Sequence, residues 1–406
     1  MDTGMIRQLN SEIGRILPHM VEIRHTLHQN PEIALKEHQT AELIRKSLKP
    51  TRMHLLEPFL ETDVVTILQG KNRGKNITLR ADIDALPIQE KTGLPYASKS
   101  DGFMHACGHD GHTAMLLGAA LVLSRFKDEF NGSVRFVFQP GEEIVAAGKE
   151  LVERGALQDP EPGAVIALHA WPDLREGMIA SKPGVLMAAA DFFKIEIIGK
   201  GAHGSHPEYS IDPILTAARV VESLQSVVSR NVSALDPVVI SVCRISGGTN
   251  SNVIPDRVEI EGTTRYLKPE LGKKIPAHIR RAVKGVCDSM GASYEISYSS
   301  PYIPTINDPT IVDLGKNIAK KILRPSGWIE LENPSMGGED FAYYIAEYPG
   351  AMFRIGMGKK SASLHNAKFD FNDDALKNGI LFLASAALEF LNPRSIDVRA
   401  SLARKG

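Results

Sequence analysis

The sequence predicts an α/β protein with an open, mostly parallel sheet and helices on both faces, into which a ferredoxin-like α+β domain is inserted. Two observations carry the first part. Apolar strand-like runs alternate with segments of helical period, and residues able to bind a ligand recur just after the strands. A third carries the insertion: after about residue 187 the order becomes β-α-β-β-α-β, and the alternating pattern resumes near residue 302. The expected domains are therefore 1–187, 188–301 and 302–406, the first and last forming one unit.

The elements follow in order. Ile6, Leu9, Ile13, Ile16 and Leu17 recur at helical spacing and predict a helix over 5–28, ended by Pro31. Ala41, Leu43, Ile44 and Leu48 give a second helix over 37–48. Strands follow at 63–69 and 76–81, joined by a basic turn at 70–75. The second runs into Asp82 and Asp84, which could line a crevice at the strand end or serve as turn carboxylates. Residues 111–126 are apolar nearly all round, as in a buried helix, which places His105, Cys107 and His109 in the loop before it. Residues 133–139 form a strand leading to Glu142 and Glu143, then a helix over 146–154 and a buried strand over 164–169.

The inserted domain reads as strand 192–199, helix 212–229, strands 237–246 and 257–266, helix 269–290 and strand 293–299. Helix 311–322, a short helix at 339–346, strand 351–356 and helix 373–391 close the chain. The tail from Asn392 is polar and basic and is expected to fray.

Composition narrows the function classes. The chain has 406 residues, 43% of them hydrophobic and 23% charged, as in a soluble globular protein. A net charge of −1 argues against a nucleic-acid surface driven by bulk charge and leaves room only for local basic patches. No apolar run is long enough to span a membrane, and residues 1–10 lack the apolar core of a signal segment. The three cysteines, Cys107, Cys243 and Cys287, are far apart and do not make a disulfide scaffold. Cys243 and Cys287 read as core residues. A reducing cytoplasm is expected.

The chemistry gathers around His105-Ala-Cys-Gly-His-Asp-Gly-His-Thr113, where three His, one Cys and one Asp fall within eight positions. Such groups are costly to bury without a partner, and a metal ion satisfies them together. Cys107, His109, Glu143, His169 and His365 are the candidate ligands, each in a turn-like context; His365, beside Asn366, also reads as a surface histidine. Thiolate, imidazole and carboxylate together suit Zn²⁺, Mn²⁺, Co²⁺ or Ni²⁺ better than Ca²⁺ or Mg²⁺. Five donors exceed what one tetrahedral ion needs, which favours two ions. Of the adjacent pair Glu142-Glu143, one can hold a metal while the other stays free as a general base. In the inserted domain the Gly201-Ala-His203 turn, the loop ending at Asn252, and Arg265 are further candidates. An Asn amide and an Arg guanidinium could grip a substrate carboxylate, or simply serve a hairpin.

These residues resemble the dinuclear-metal aminoacylase and carboxypeptidase superfamily, specifically its amidohydrolase branch of hippurate hydrolases, auxin–amino-acid conjugate hydrolases and N-acetyl-diaminopimelate deacetylases. The resemblance runs through nearly the whole chain: Arg24-His-Thr-Leu-His-Gln-Asn-Pro-Glu32, residues 80–87, 105–113, 139–143, 168–172, 201–207 and 247–255, Gly337-Gly-Glu-Asp-Phe341 and Leu364-His-Asn366. It implies a zinc-exopeptidase-like fold. It also implies two divalent metal ions per subunit, of which Cys107, His109, Glu143, His169 and His365 are the ligands, and Glu142 as general base and acid. The inserted domain then acts as a lid and a surface for a homodimer or homotetramer. His203 supports the substrate oxyanion, across the dimer where the partner supplies it, and Asn252 and Arg265 bind the substrate carboxylate.

His105, Asp110 and His112 become candidates for orienting the ligands. The implied reaction is hydrolysis of an N-acyl amino acid (acetyl, benzoyl or similar) to a carboxylic acid and a free amino acid. A dipeptidase or carboxypeptidase, or a metal-binding relative without catalysis, is the alternative. The sequence departs from the branch at Gly141 and Ala202, where Ala and Gly are usual, at Glu208, where His is frequent, and at Ala367, where Pro is common; none of these removes a ligand.

Overall fold

The computed structural model describes residues 1–392; the tail from residue 393 onward lies outside the described residues. The chain divides into two compact units. One is built from Met1–Gly184, Ile306–Asn333 and residues 343–392, the other from Val185–Thr305 and Pro334–Ala342.

The first unit holds an eight-stranded sheet. Its four central strands, Ser133–Gln139, Asn76–Asp82, Pro162–Trp171 and Gly350–Gly356, run parallel and lie side by side in that order. Val64–Gln69 joins antiparallel at one side and Ile179–Ser181 at the other. Every residue of the Ser133–Gln139, Asn76–Asp82 and Gly350–Gly356 strands is buried, so both faces are covered. The two faces nevertheless differ in kind. Register puts Leu79, Phe136, Phe138, Ile166, Leu168 and Phe353 on one face, in a single apolar core with helices Thr3–Gln29, His109–Arg125, Pro309–Ile322 and Asp374–Leu391. The alternate residues, Arg80, Asp82, Gln139, His169 and Arg354, share the opposite face and bring charge and hydrogen-bonding groups toward the carboxyl ends of the strands.

Local chemistry explains the main helices. Asp2 caps Thr3–Gln29 by accepting from the Met5 N–H at 2.9 Å, and Leu9, Ile13, Met20, Ile23 and Leu27 bury one stripe. His109–Arg125 is buried on nearly all sides, as its apolar composition predicts. Its start differs from the expected one: Gly108, at φ 86°, turns the chain so that His109 is the first helical residue rather than a loop residue. Glu142 and Glu143 likewise lie in a one-turn helix, Glu142–Val145, instead of an open turn, and His169 lies inside a strand that continues to Trp171. The turn-like setting expected for all the donors therefore holds for Cys107 and His365 only. Three short strands, His54–Leu55, Ile179–Ser181 and Trp328–Glu330, were too brief to show a period-2 pattern in the sequence.

The second unit contains a four-stranded antiparallel sheet in the order Val238–Gly247, Arg257–Tyr266, Ala189–Ile198, Ser293–Tyr302. With helices Pro213–Asn231 and Leu271–Met290 this is the ferredoxin-like arrangement. Leu271, Ile275, Ile279, Val283 and Cys287, four apart, press on Phe193, Ile195, Ile197 and Ile260. Pro334–Ala342 joins this unit because the Ala188 N–H donates to the carbonyls of Ser335 and Gly337, both at 3.0 Å. Cys287 is buried as expected, but Cys243 is exposed. It lies on the outermost strand beside a break in register between Val242 and Arg244, on a stretch whose burial has already faded. Among the described residues all three cysteines are free, and no helix is long and apolar enough to cross a membrane.

Candidate metal centre

The five candidate ligands, from four stretches of sequence, meet in the first unit. Cys107 and His109 bracket the Gly108 turn at the start of their helix. Cys107 packs with Leu86, Met104 and Ala106, and Leu364 lies against that cluster. The His365 N–H donates to the Ala106 carbonyl at 2.8 Å, which ties the two loops together, and His365 adopts a left-handed φ of 62° there. The Cys107 thiol is 3.6 Å from His169 Nε2. Glu143 Oε1 is 3.2 Å from His365 Nε2 and 3.7 Å from His109 Nε2. The possible ligand atoms of Cys107, Glu143 and His365 all lie within 4.8 Å of one another, as do those of His109, Glu142 and Glu143. Glu142 is buried beside them.

Hydrogen bonds settle which ring nitrogens are free. Asp84 Oδ1 lies 3.1 Å from His109 Nδ1, so that edge donates, leaving Nε2 buried without a partner. The Ala170 carbonyl can only accept, so His169 donates to it from Nδ1 at 2.7 Å and keeps a lone pair on Nε2. Each imidazole is oriented by an acceptor behind it, which leaves Nε2 as the nitrogen that could bind a metal. His112 is different. Its Nδ1 is 2.5 Å from Asp82 Oδ1, and its Nε2 accepts the Ala170 N–H at 2.7 Å. Both nitrogens are committed, and Asp82 Oδ2 is held by Arg80 at 2.7 Å. Although Asp82 and His112 cluster with His109 and His169, they brace the site rather than offer donors to it.

Electrostatics point the same way. Burial works against a charge on His109, but Asp82, Asp84 and Glu143 outweigh it and raise its pKa to about 10. Burial, then the charges of Glu143, Glu142 and Asp82, push the Cys107 thiol well above its ordinary value. Burial holds His169 neutral, far below the usual imidazole range. The buried carboxylates thus favour the protonated forms of His109 and Cys107, while His169 stays neutral. A divalent cation in place of those protons would be matched by two imidazole lone pairs, the thiolate and the carboxylates, so the donor set fits metal.

The turn carrying the glutamates is held from outside. Glu37, missed in the sequence because nothing local marks it, accepts the Gly141 N–H at 3.0 Å and the Thr62 hydroxyl at 2.9 Å. Gly141 sits at φ 63°, where glycine is at ease. Asp84 accepts the Glu143 N–H at 3.0 Å. Of the three residues expected to orient ligands, His112 packs beside two of the candidates, its ring centroid 5.3 Å from that of His109 and 4.6 Å from that of His169. Asp110 turns away to His28, at 2.8 Å, and Arg24, at 3.2 Å. His105 is buried with neither ring nitrogen hydrogen-bonded among the described residues.

The remaining three candidates belong to the second unit. His203 pairs with Val253 in a two-stranded ribbon, which sets Asn252 beside it; the Gly204 N–H donates to the Asn252 carbonyl at 2.7 Å. His203 Nδ1 accepts from the Ser205 N–H at 3.2 Å, so the neutral ring carries its proton on the exposed Nε2. Arg265 lies on the four-stranded sheet instead, its guanidinium 5.6 Å from the Phe192 ring centroid and bonded to Thr263 and the Thr264 carbonyl.

Comparison with known proteins bears on this centre. Residues 78–389 match the family described as Peptidase family M20/M25/M40. An N-acetylcysteine deacetylase of Bacillus subtilis (strain 168) is 41% identical over 372 residues, covering 91% of this chain and 96% of its own. The IAA-amino acid hydrolase ILR1-like 4 of Arabidopsis thaliana is 38% identical, covering 95% and 88%. The crystal structure of the Bacillus subtilis YXEP protein, described as a dinuclear metal binding peptidase from the M20 family, matches with a TM-score of 0.80 at 36% identity, covering 93% of this chain and 99% of that one. With a family match across most of its length and relatives this similar from end to end, the chain belongs to peptidase family M20/M25/M40.

Proposed function

We propose that this protein hydrolyses the amide bond of N-acyl amino acids, with Cys107, His109, Glu143, His169 and His365 holding two divalent ions and Glu142 moving the proton. The observation that carries the reading is the placement of Glu142. It is buried, next in sequence to a donor of the cluster, and within 4.8 Å of both His109 and Glu143. The metal-dependent amide hydrolysis of this family accounts for such a carboxylate; the acyl amino acid is the finer step, supported by the deacetylase and conjugate-hydrolase relatives.

The bound ions would polarise the scissile carbonyl and acidify water. The chain's own residues do the rest. Glu142 accepts a proton from the attacking water, and the water oxygen forms the new bond to the acyl carbon. The C–N bond breaks as Glu142 returns that proton to the leaving nitrogen, so one amide and one water become a carboxylic acid and a free amino acid. His203 donates from Nε2 to the carbonyl oxygen as negative charge develops, and Asn252 and Arg265 hold the substrate carboxylate. In this reading the second unit is a lid and the contact through which subunits pair, as a homodimer or homotetramer, and the protein works in the cytoplasm.

The test is a panel of N-acetyl, N-benzoyl and peptidyl amino acids with Mn²⁺ or Zn²⁺ added, following release of the amine. Rapid release from the acyl amino acids is expected. Release from the peptidyl set alone would instead make the protein a peptidase, and none at all would overturn the reading.

A further inference from the structure

Four arginines are buried among the described residues. Arg24 faces Asp110, Asp370 and Asp373. Arg80 holds Asp82 and Gln139, and Arg135 donates to the carbonyls of Leu157 and Gln158. Arg354 differs. It is 4% exposed, yet its Nε and Nη2 have no hydrogen-bond partner, and no carboxylate lies within ion-pair reach of it among the described residues. Burial alone acts on it, drawing its pKa down to about 10, so it is still charged at neutral pH. A bare buried cation is among the least favourable things a fold can contain.

Its position suggests what it is for. Arg354 stands directly opposite His169 in the parallel pair of strands, so the two side chains share a face. Trp171, two residues beyond His169, shares that face too. Its ring centroid is 3.5 Å from the Arg354 guanidinium carbon and 6.1 Å from the His169 ring centroid. The stacking fixes the plane of the guanidinium. The two unpartnered atoms are the pair whose N–H bonds point the same way, which makes the side-on fork that grips one carboxylate through both oxygens.

We propose that Arg354, held flat against Trp171, binds a carboxylate of the substrate next to the metal centre. The proposal rests on the amide-hydrolase reading for the word substrate; the carboxylate site itself does not. Three parts of an N-acyl amino acid could supply the group: an acidic amino-acid side chain, an acyl arm that itself ends in a carboxylate, or the α-carboxylate, in which case Arg354 takes the place given above to Asn252 and Arg265.

Matched substrates separate them: N-acetyl-alanine against N-acetyl-alaninamide, N-acetyl-glutamate against N-acetyl-glutamine, and N-succinyl-alanine against N-butyryl-alanine. For the pair that differs in the recognised group, Arg354→Met should lower the ratio of kcat/KM values at least about tenfold, mostly through KM. Arg354→Lys, which keeps the charge and loses the fork, should fall between. Equal effects on both members of every pair would overturn the proposal. A second readout needs no turnover: succinate should raise the thermal midpoint of the metal-loaded wild type and leave that of Arg354→Met in place. Because the replacement removes an unpaired buried charge, the variant itself should melt no lower than wild type, whereas a clear drop would mean that Arg354 already has a structural partner. Should no N-acyl amino acid be hydrolysed, the amide-hydrolase reading fails, and the succinate shift still decides whether Arg354 is a carboxylate site.

Discussion

Asp84 steadies His109 and Glu143 at once. One carboxylate oxygen lies 3.1 Å from His109 Nδ1 and the other 3.0 Å from the backbone N of Glu143. Two donors from different elements are thus held by one side chain at the end of a strand. Asp84→Asn keeps the volume but turns an NH₂ group toward one of those donors. Metal affinity should fall about 10–100-fold, as expected for a lost partner behind a ligand, while the fold persists. Competition with a chelator of known affinity measures it; unchanged affinity would show that Asp84 does not orient the ligands.

Metal content separates ligands from braces. Cys107→Ala removes a donor and should lower the number of ions bound, read by elemental analysis after dialysis. His112→Gln should leave that number unchanged, since both nitrogens of His112 already serve Asp82 and Ala170. Its cost should appear in stability, about 1–3 kcal/mol for buried partners left unsatisfied. A lost ion in the His112 variant would move that residue into the ligand set.

Glu142→Gln should keep both the fold and the metal content and lose turnover by about 10²–10⁴-fold, the usual range for a proton-transferring group. The glutamine fills the same space next to His109 and Glu143 but cannot accept a proton from water. Comparable activity in that variant would sink the proton-transfer role.

Much of this was legible in the sequence because strands and helices here are strongly patterned. The strand at 133–139 and the strand at 257–266 were readable to the residue, since Pro140 stops the first and Lys268 and Pro269 follow closely on the second. That the candidate donors would gather in one place was readable because Cys, His and Glu recur beside strand ends. What stayed hidden was contact across long sequence distances. Glu37 reaches Gly141 over 104 positions, and Asp84 reaches Glu143 over 59. Nothing near Glu37 announces a partner. Arg354 reads as an interruption in an apolar strand until register sets it opposite His169. Cys243 misled because an alternating pattern does not tell an outer strand from an inner one.

Behind the helix that starts at His109, His28 bonds Asp110 at 2.8 Å and approaches Glu90 at 3.4 Å, with no exposed surface. Burial opposes its charge, but Asp110 and Glu90 prevail and raise its pKa to about 10. A raised histidine pKa means that the folded state holds the proton more tightly than the unfolded chain does. This stabilisation is complete below the unfolded value of about 6.5 and is lost as the pH climbs through about 10. His28→Gln should therefore cost most near pH 6, about 3–5 kcal/mol for a broken buried pair, and much less at pH 10. Urea unfolding at the two pH values gives the difference, and a gap that does not narrow would refute the charged pair.

Two glycines on helices should respond in opposite directions to the same replacement. Gly14 lies in the Thr3–Gln29 helix with nothing within 4 Å of where a Cβ would stand. Gly14→Ala should therefore raise stability by about 0.5–1 kcal/mol through the lower backbone entropy of the unfolded chain. Gly111 lies in the first turn of the His109–Arg125 helix, and a Cβ there would stand 2.2 Å from Cδ2 and 2.3 Å from Cγ of the buried Phe371. The same gain in helix propensity applies, about 1 kcal/mol. The clash, however, falls at the root of the ring, which cannot swing aside as the tip of a flexible chain would. Overpacking of about 1–3 kcal/mol should win, and the displaced first turn carries His109 with it. Gly111→Ala should thus lower both the thermal midpoint and the metal affinity, whereas Gly14→Ala should raise the first and leave the second alone. Equal midpoints for the two variants would mean that Phe371 can move out of the way.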